Sequence, residues 1–202
     1  MKNEKTRRIT VAAMLAAVCL ILNLTDLGII PVPPAGIAII HIPVVIGAVL
    51  EGPIVGLFLG LVFGLSSMWA AMATPMPLSP IFLDPVVAVL PRLCIPLAAY
   101  FAYRLGRRLF HRTNGGDVLA AALGAAAGTL ANTLLVLSAI YLRYADKFAS
   151  VMGLKPSESL GALAGIGLAN GSLELIAAVI ITIAVYKAVS RAYPGRSLDK
   201  TG

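Results

Sequence analysis

The residues of this chain able to do chemistry are few, and they sit where water is scarce. Arg92 lies near the middle of FLDPVVAVLPRLCIPLAAY, an apolar run over 82–100 that is long enough to cross a bilayer. Asn132 falls in the middle third of a second such run, and Asn170 and Glu174 lie inside a third. An arginine at bilayer depth costs between ~3 and ~15 kcal/mol, so it is kept where it faces a bundle interior or a polar cavity and meets a partner there. Counted at ~1.5 Å per residue along each helix, the four residues share roughly one layer. Asn170 and Glu174 are four apart and face the same way. Two readings follow. One is a buried Arg92–Glu174 ion pair with the asparagines as interhelical glue. The other is a pocket for a small polar solute, in which a guanidinium recognises a carboxylate and asparagines recognise an amide.

Three more residues are candidates for the same pocket. His41 stands at the outer end of one helix, Trp69 near the outer end of the next, and Asp84 directly before Pro85. Each also has a plainer role: a capped interfacial histidine, an aromatic anchor at the membrane surface, and a helix N-cap. Covalent chemistry has little to work with. No H-E-x-x-H, G-x-S-x-G, P-loop or acidic metal pair occurs inside a span, and the two His and two Cys are not clustered. The chain is expected to be no enzyme and to hold neither a metal nor a cofactor; any energy from ATP must come from a partner chain. Cys19 and Cys94, both in apolar runs, read as small core residues.

The elements that must position these residues follow from composition. Of 202 residues, 59% are hydrophobic and 12% charged, with a mean hydropathy of +0.92; a soluble domain is about 45–50% apolar and about 25% charged. The expected fold is an all-α membrane protein, a single integral domain over 1–202 with six transmembrane helices at about 9–24, 40–50, 53–72, 82–104, 117–144 and 160–189. A signal peptide competes for the first of these, but no clear small-x-small cleavage site is present and more spans follow. Twelve basic residues fall on one side of this arrangement: Lys2, Lys5, Arg7, Arg8, Arg104, Arg107, Arg108, Arg112, Lys187, Arg191, Arg196 and Lys200. Only Arg143, Lys147 and Lys155 fall on the other. The net charge of +7 is thus a positive-inside pattern, with both termini cytoplasmic, and not a nucleic-acid surface.

Local sequence sharpens the picture. Segments 25–39 and 73–80 are apolar and proline-rich, and are expected to lie over the mouth of the bundle as lids. Gly52, Gly56, Gly60 and Gly64 form a stripe that suggests very close helix contact. Pro91 and Pro96 inside one span free backbone carbonyls and imply kinks. Ala12, Ala13, Ala16 and Ala17 make two overlapping A-x-x-x-A pairs, which let another backbone come close, either within the bundle or from a partner.

The six helices, the basic start, the alanine pairs and the run HIPVVIGAVLEGPIVGLFLGLVFGL together resemble the substrate-binding S components of energy-coupling factor (ECF) vitamin transporters, from about residue 7 to 191. HIPVVIGAVLEGP, the P-x-F-x-D-P pattern over 80–85 and LPRL over 90–93 look most like the pantothenate-type members. The resemblance implies the substrate-specific subunit of an ECF-type ABC importer in the cell membrane. Such a subunit captures a water-soluble vitamin from outside, docks on a transmembrane T component carrying two ATP-binding subunits, and topples to release its load inside. It also implies that Ala12, Ala13, Ala16 and Ala17 contact the T component and that 25–39 and 73–80 are gating loops. Pantothenate, with one carboxylate, an amide and two hydroxyls, suits an arginine and two asparagines. Pyridoxine, hydroxymethylpyrimidine and riboflavin are the alternative vitamins, riboflavin asking for more aromatic wall than one Trp and six Phe give. Glu174 would repel an anion and is expected to be paired or protonated. A structural or assembly protein whose polar layer is only glue is the reading of another class.

Overall fold

The computed structural model describes residues 2–32, 35–74 and 77–192; Arg196 and Lys200 lie outside these. Helix α1 (Lys2–Leu24) leads through a 3-10 turn (Asp26–Gly28) into an antiparallel hairpin, β1 (Ile29–Val32) and β2 (Ala35–Ala38), with Ile29 opposite Ala38. Then come α2 (Ile42–Glu51), α3 (Pro53–Ala73), two short helices α4 (Ser79–Phe82) and α5 (Pro85–Ala88), and α6 (Leu90–Leu109). The long helices α7 (Gly116–Met152) and α8 (Ser159–Ala192) follow, with a 3-10 turn at Pro156–Glu158 between them. Among the described residues five stretches are long and apolar enough to cross a membrane: Glu4–Leu24, Pro53–Ala73, Pro85–Leu109, Gly116–Met152 and Pro156–Ala192. The chain is a multi-pass α-helical membrane protein. Part of the proline-rich segment read as an outer loop forms the hairpin.

Helix α2 is the hub. All ten of its residues are buried, and it packs against α1, α3, α6, α7 and α8. It starts with a proline in its first turn and stops at Gly52, whose φ of 94° reverses the chain into Pro53 at the head of α3; proline at a helix start and glycine just past an end are each sterically suited to those positions. At that turn Glu51, 2% exposed, meets Arg7 at 3.4 Å and Arg8 at 3.8 Å. Arg8 Nη2 also donates to the Glu51 carbonyl at 3.1 Å. The basic start of α1 is thereby sewn to the α2–α3 turn.

The glycine stripe and the prolines act together. Gly56, Gly60 and Gly64 are buried in the face of α3 that meets α6 and its lead-in. A methyl group at Gly56 would stand 2.6 Å from Pro96 Cβ, and one at Gly64 would stand 2.9 Å from Val89 Cα. At Gly60 it would collide with the carbonyl oxygen of Arg92. An intrahelical bond runs from each N–H to the carbonyl four residues earlier, and proline has no N–H to give. Pro96 therefore leaves the Arg92 carbonyl without its helical donor, and the backbone of α3 lies directly against that oxygen. Pro91 stands in the first turn of α6, where a missing N–H costs the helix nothing.

At 37 residues, α7 would run about 55 Å if straight, well past the ~30 Å of a hydrocarbon core. It is not straight. Tyr144 has non-helical angles (φ −140°, ψ 23°), after which the helix resumes to Met152 and ends on Gly153 in the left-handed region. The sequence suggests an end at 144; the chain breaks there and then continues as a helix.

Gly60→Ala is expected to destabilise the protein by about 1–3 kcal/mol, because the added methyl meets backbone that cannot step aside. Gly165→Ala, with open space around it, is expected to be neutral or slightly stabilising. Thermal unfolding of both variants in detergent checks this, and equal melting temperatures would contradict the close contact.

Candidate functional site

A cavity of about 290 Å³ lies among α4, α6, α7, α8 and the end of β2. Small-molecule sites span ~300–1,000 Å³, so it is sized for a small solute. Its polar wall is built from three helices: Arg92 on α6, Asn132 and Thr133 on α7, and Asn170 and Glu174 on α8. Since α6 and α8 each pack along α7, the order is an arc from guanidinium through amide and hydroxyl to carboxylate. The remaining wall is apolar. Leu78, Ile81 and Phe82 close it on the α4 side, and Val136, Leu137, Ile140, Phe148, Leu163 and Ile166 line α7 and α8.

Arg92 and Glu174 are each 7% exposed, yet they form no ion pair with each other; the expected pairing is replaced by separate tethers. Arg92 Nη1 donates to the Val87 carbonyl at 2.6 Å, an oxygen in the last turn of α5 that has no intrahelical donor. Its guanidinium also lies over the rings of Phe63, 5.3 Å to the centroid, and Phe82, 5.8 Å, an attraction strengthened by desolvation. On α8, Glu174 Oε1 accepts from the Ala38 N–H at 3.0 Å, which fastens β2 beside the cavity.

Among the described residues five buried side-chain polar atoms lack a hydrogen-bond partner, and three of them belong to the cavity wall: Arg92 Nε, Asn132 Oδ1 and Thr133 Oγ1. A buried polar group without a partner costs about 1–3 kcal/mol. Their concentration on one wall is what a polar ligand would relieve.

The structure thus brings together Arg92, Asn132, Asn170 and Glu174, and leaves His41, Trp69 and Asp84 outside the lining. His41 is packed in the core, its Nε2 3.0 Å from Thr129 Oγ1, one α7 turn from Thr133. Trp69 is 62% exposed; its helix turns the glycines, not the indole, toward the bundle. Asp84 caps α5 by accepting from the Val86 N–H at 2.9 Å. It also accepts from Arg143 Nε at 2.6 Å and from Tyr144 O–H at 3.0 Å, tying the α4–α5 segment to the break in α7. Among the described residues no group of three or more His, Cys, Asp or Glu could hold a metal ion. Thr133 and the apolar wall are the lining residues that depth counting misses. A signal for them exists: Leu163, Ile166, Gly167, Asn170 and Glu174 recur at helical spacing and form one stripe.

The alanine pairs split. Ala16 is buried and Ala12 half-buried against the bundle, whereas Ala13 and Ala17 are exposed on the far side of α1.

These features define a class: a multi-pass helical membrane protein that encloses a small amphipathic cavity between its helices. The sequence model of the ECF transporter substrate-specific component matches residues 7–186, and the chain belongs to that family. It is therefore a transporter subunit and not an enzyme. It is similar to the pantothenic acid transporter PanT of Lactococcus lactis subsp. cremoris, 32% identical across 95% of this chain and 98% of that one. It is also similar to the pantothenate transporter PanT of Leuconostoc mesenteroides subsp. mesenteroides, 28% identical across 92% and 93%.

The Asp84 clamp has a pH signature. The Val86 N–H first, then Arg143 and Tyr144, hold its carboxyl below the ordinary value of 3.8. A depressed folded-state pKa gives stability that is fully present above the ordinary value and is lost as pH falls through the lowered one. Asp84→Asn is expected to melt below the wild type at pH 7, with the gap narrowing at an acid pH below the ordinary carboxyl value. Melting curves at the two pH values check this; a gap of constant size would contradict the clamp.

Proposed function

We propose that this chain is the vitamin-capturing subunit of an ECF-type importer and that its vitamin is pantothenate. One observation carries the reading: the cavity's polar groups run in the order guanidinium, amide and hydroxyl, carboxylate. Pantothenate presents a carboxylate, an amide and two hydroxyls in that order along its length, with a dimethyl carbon suited to the apolar wall. Arg92 is the natural partner of the carboxylate, since a guanidinium pairs with it through charge-assisted hydrogen bonds. Asn132, Thr133 and Asn170 match the amide and the first hydroxyl, and Glu174 accepts from the second. The names of the two relatives agree with this vitamin. Pyridoxine, hydroxymethylpyrimidine and riboflavin would leave Arg92 with no carboxylate to bind. The glue reading loses its support where Arg92 and Glu174 fail to pair.

The segments 25–39 and 73–80 act as gates in this reading: Ala38 from the first and Leu78 from the second line the cavity. Both termini lie in the cytoplasm, the side favoured for the basic ends of the chain. The transport cycle uses a T component with two ATP-binding subunits, and Ala13 and Ala17 supply the exposed small-residue face for the T component.

A folded protein that binds a ligand melts at a higher temperature by mass action. Pantothenate is expected to raise the melting temperature of the detergent-solubilised protein more than pyridoxine, thiamine or riboflavin. Arg92→Ala is expected to weaken pantothenate binding by about a hundredfold or more, the order of magnitude for truncating one member of a buried charge pair. A shift with a vitamin lacking a carboxylate, or an undiminished shift in Arg92→Ala, would overturn the assignment. Replacing Ala13 and Ala17 with Trp is expected to leave vitamin binding intact and abolish co-purification with the T component and ATPases; retained assembly would remove these residues from the contact.

A further inference from the structure

The two ends of the polar arc carry opposite charges that are held apart. Arg92 is fixed by the Val87 carbonyl and two aromatic rings, and Glu174 by the backbone N–H of Ala38. Their helices each pack along α7. Arg92 is the one cationic side chain in the lining among the described residues. Once a ligand carboxylate occupies it, no positive charge remains in the cavity for a second anion.

We infer that Glu174 is the specificity-determining residue on the α8 wall of the cavity, selecting a monoanion whose far end carries hydroxyl donors and rejecting ligands with a second anionic group. The inference rests on the cavity being the site of a carboxylic acid. An ionised carboxylate accepts hydrogen bonds and donates none. Glu174 spends one acceptor position on Ala38 and has others to offer to hydroxyl groups. A phosphate on the same hydroxyl would place two further negative charges beside it, in a site where low dielectric strengthens repulsion. Asn170, one turn away on the same face, both donates and accepts, so it tolerates either ligand; the discrimination falls to Glu174.

The test uses the full chain in detergent and isothermal titration with four compounds. They are pantothenate, its analogue lacking the hydroxyls, its phosphate ester at the terminal hydroxyl, and a neutral carbonate ester of similar bulk at that position. In the wild type the dehydroxylated analogue is expected to bind about tenfold weaker than pantothenate, and the phosphate ester roughly a hundredfold weaker than the neutral ester. Glu174→Gln is expected to shrink the gap between the two esters by about tenfold or more. A wild type that binds the phosphate ester as well as the neutral one overturns the inference, and so does a gap that survives Glu174→Gln. If the variant does not fold, the wild-type ester comparison decides alone. Failure of pantothenate itself to bind removes the carboxylic-acid reading and this inference with it, whereas normal pantothenate binding with equal ester affinities removes only the inference.

Discussion

A guanidinium inside a membrane protein must be given acceptors, and a helix has none to spare, because its carbonyls are already bonded along the axis. The segment that carries Arg92 solves this with a helix end and a proline. Helix α5 stops at Ala88, and the carbonyls of a last turn have no intrahelical donor, so the Val87 carbonyl is free to accept from Arg92 Nη1. Pro96 cannot donate to Arg92, and the carbonyl it leaves is covered by the bare backbone of Gly60. The helix end supplies the acceptor and the proline shapes the seam against α3. The position of the charge and the closeness of the two helices depend on these two interruptions of the helical ladder.

Much of this was legible in the sequence, within a definite limit. Counting residues along a helix gives height, and height was enough to gather Arg92, Asn132, Asn170 and Glu174 into one layer. Height says nothing of direction around the helix axis. His41 stands near the layer but turns its ring to Thr129, Trp69 turns outward, and Asp84 belongs to a cap. The Arg92–Glu174 ion pair was a natural expectation for two opposite charges in one layer. It failed because each side chain found a backbone group nearer to hand, at a helix end in one case and a β-strand end in the other. Neither local geometry can be read from residue spacing. The alanine pairs, in contrast, were split by the helical period itself: residues four apart stay on one face, and neighbours lie 100° apart, so Ala13 and Ala17 part from Ala12 and Ala16.

The cavity is assembled from parts that are separately anchored. Glu174 fastens the end of β2, Asp84 fastens α4 and α5 to the break in α7, and Glu51 fastens the start of α1 to the α2–α3 turn. Each anchor is a carboxylate, and two of the three bind arginine side chains. The cavity wall holds three of the five buried polar atoms without partners among the described residues, whereas these anchors are satisfied.

Helix α2 is shorter than the bilayer it serves. Ten residues rise only about 15 Å, half of the ~30 Å that a spanning helix covers, and all ten are enclosed by neighbours. The chain reaches it from the β1–β2 hairpin, and Ala38 at the end of β2 lines the cavity. Part of the cavity wall is therefore strand and not helix. A continuous span would keep its N–H groups for its own carbonyls; the strand end has one to give, and Glu174 takes it.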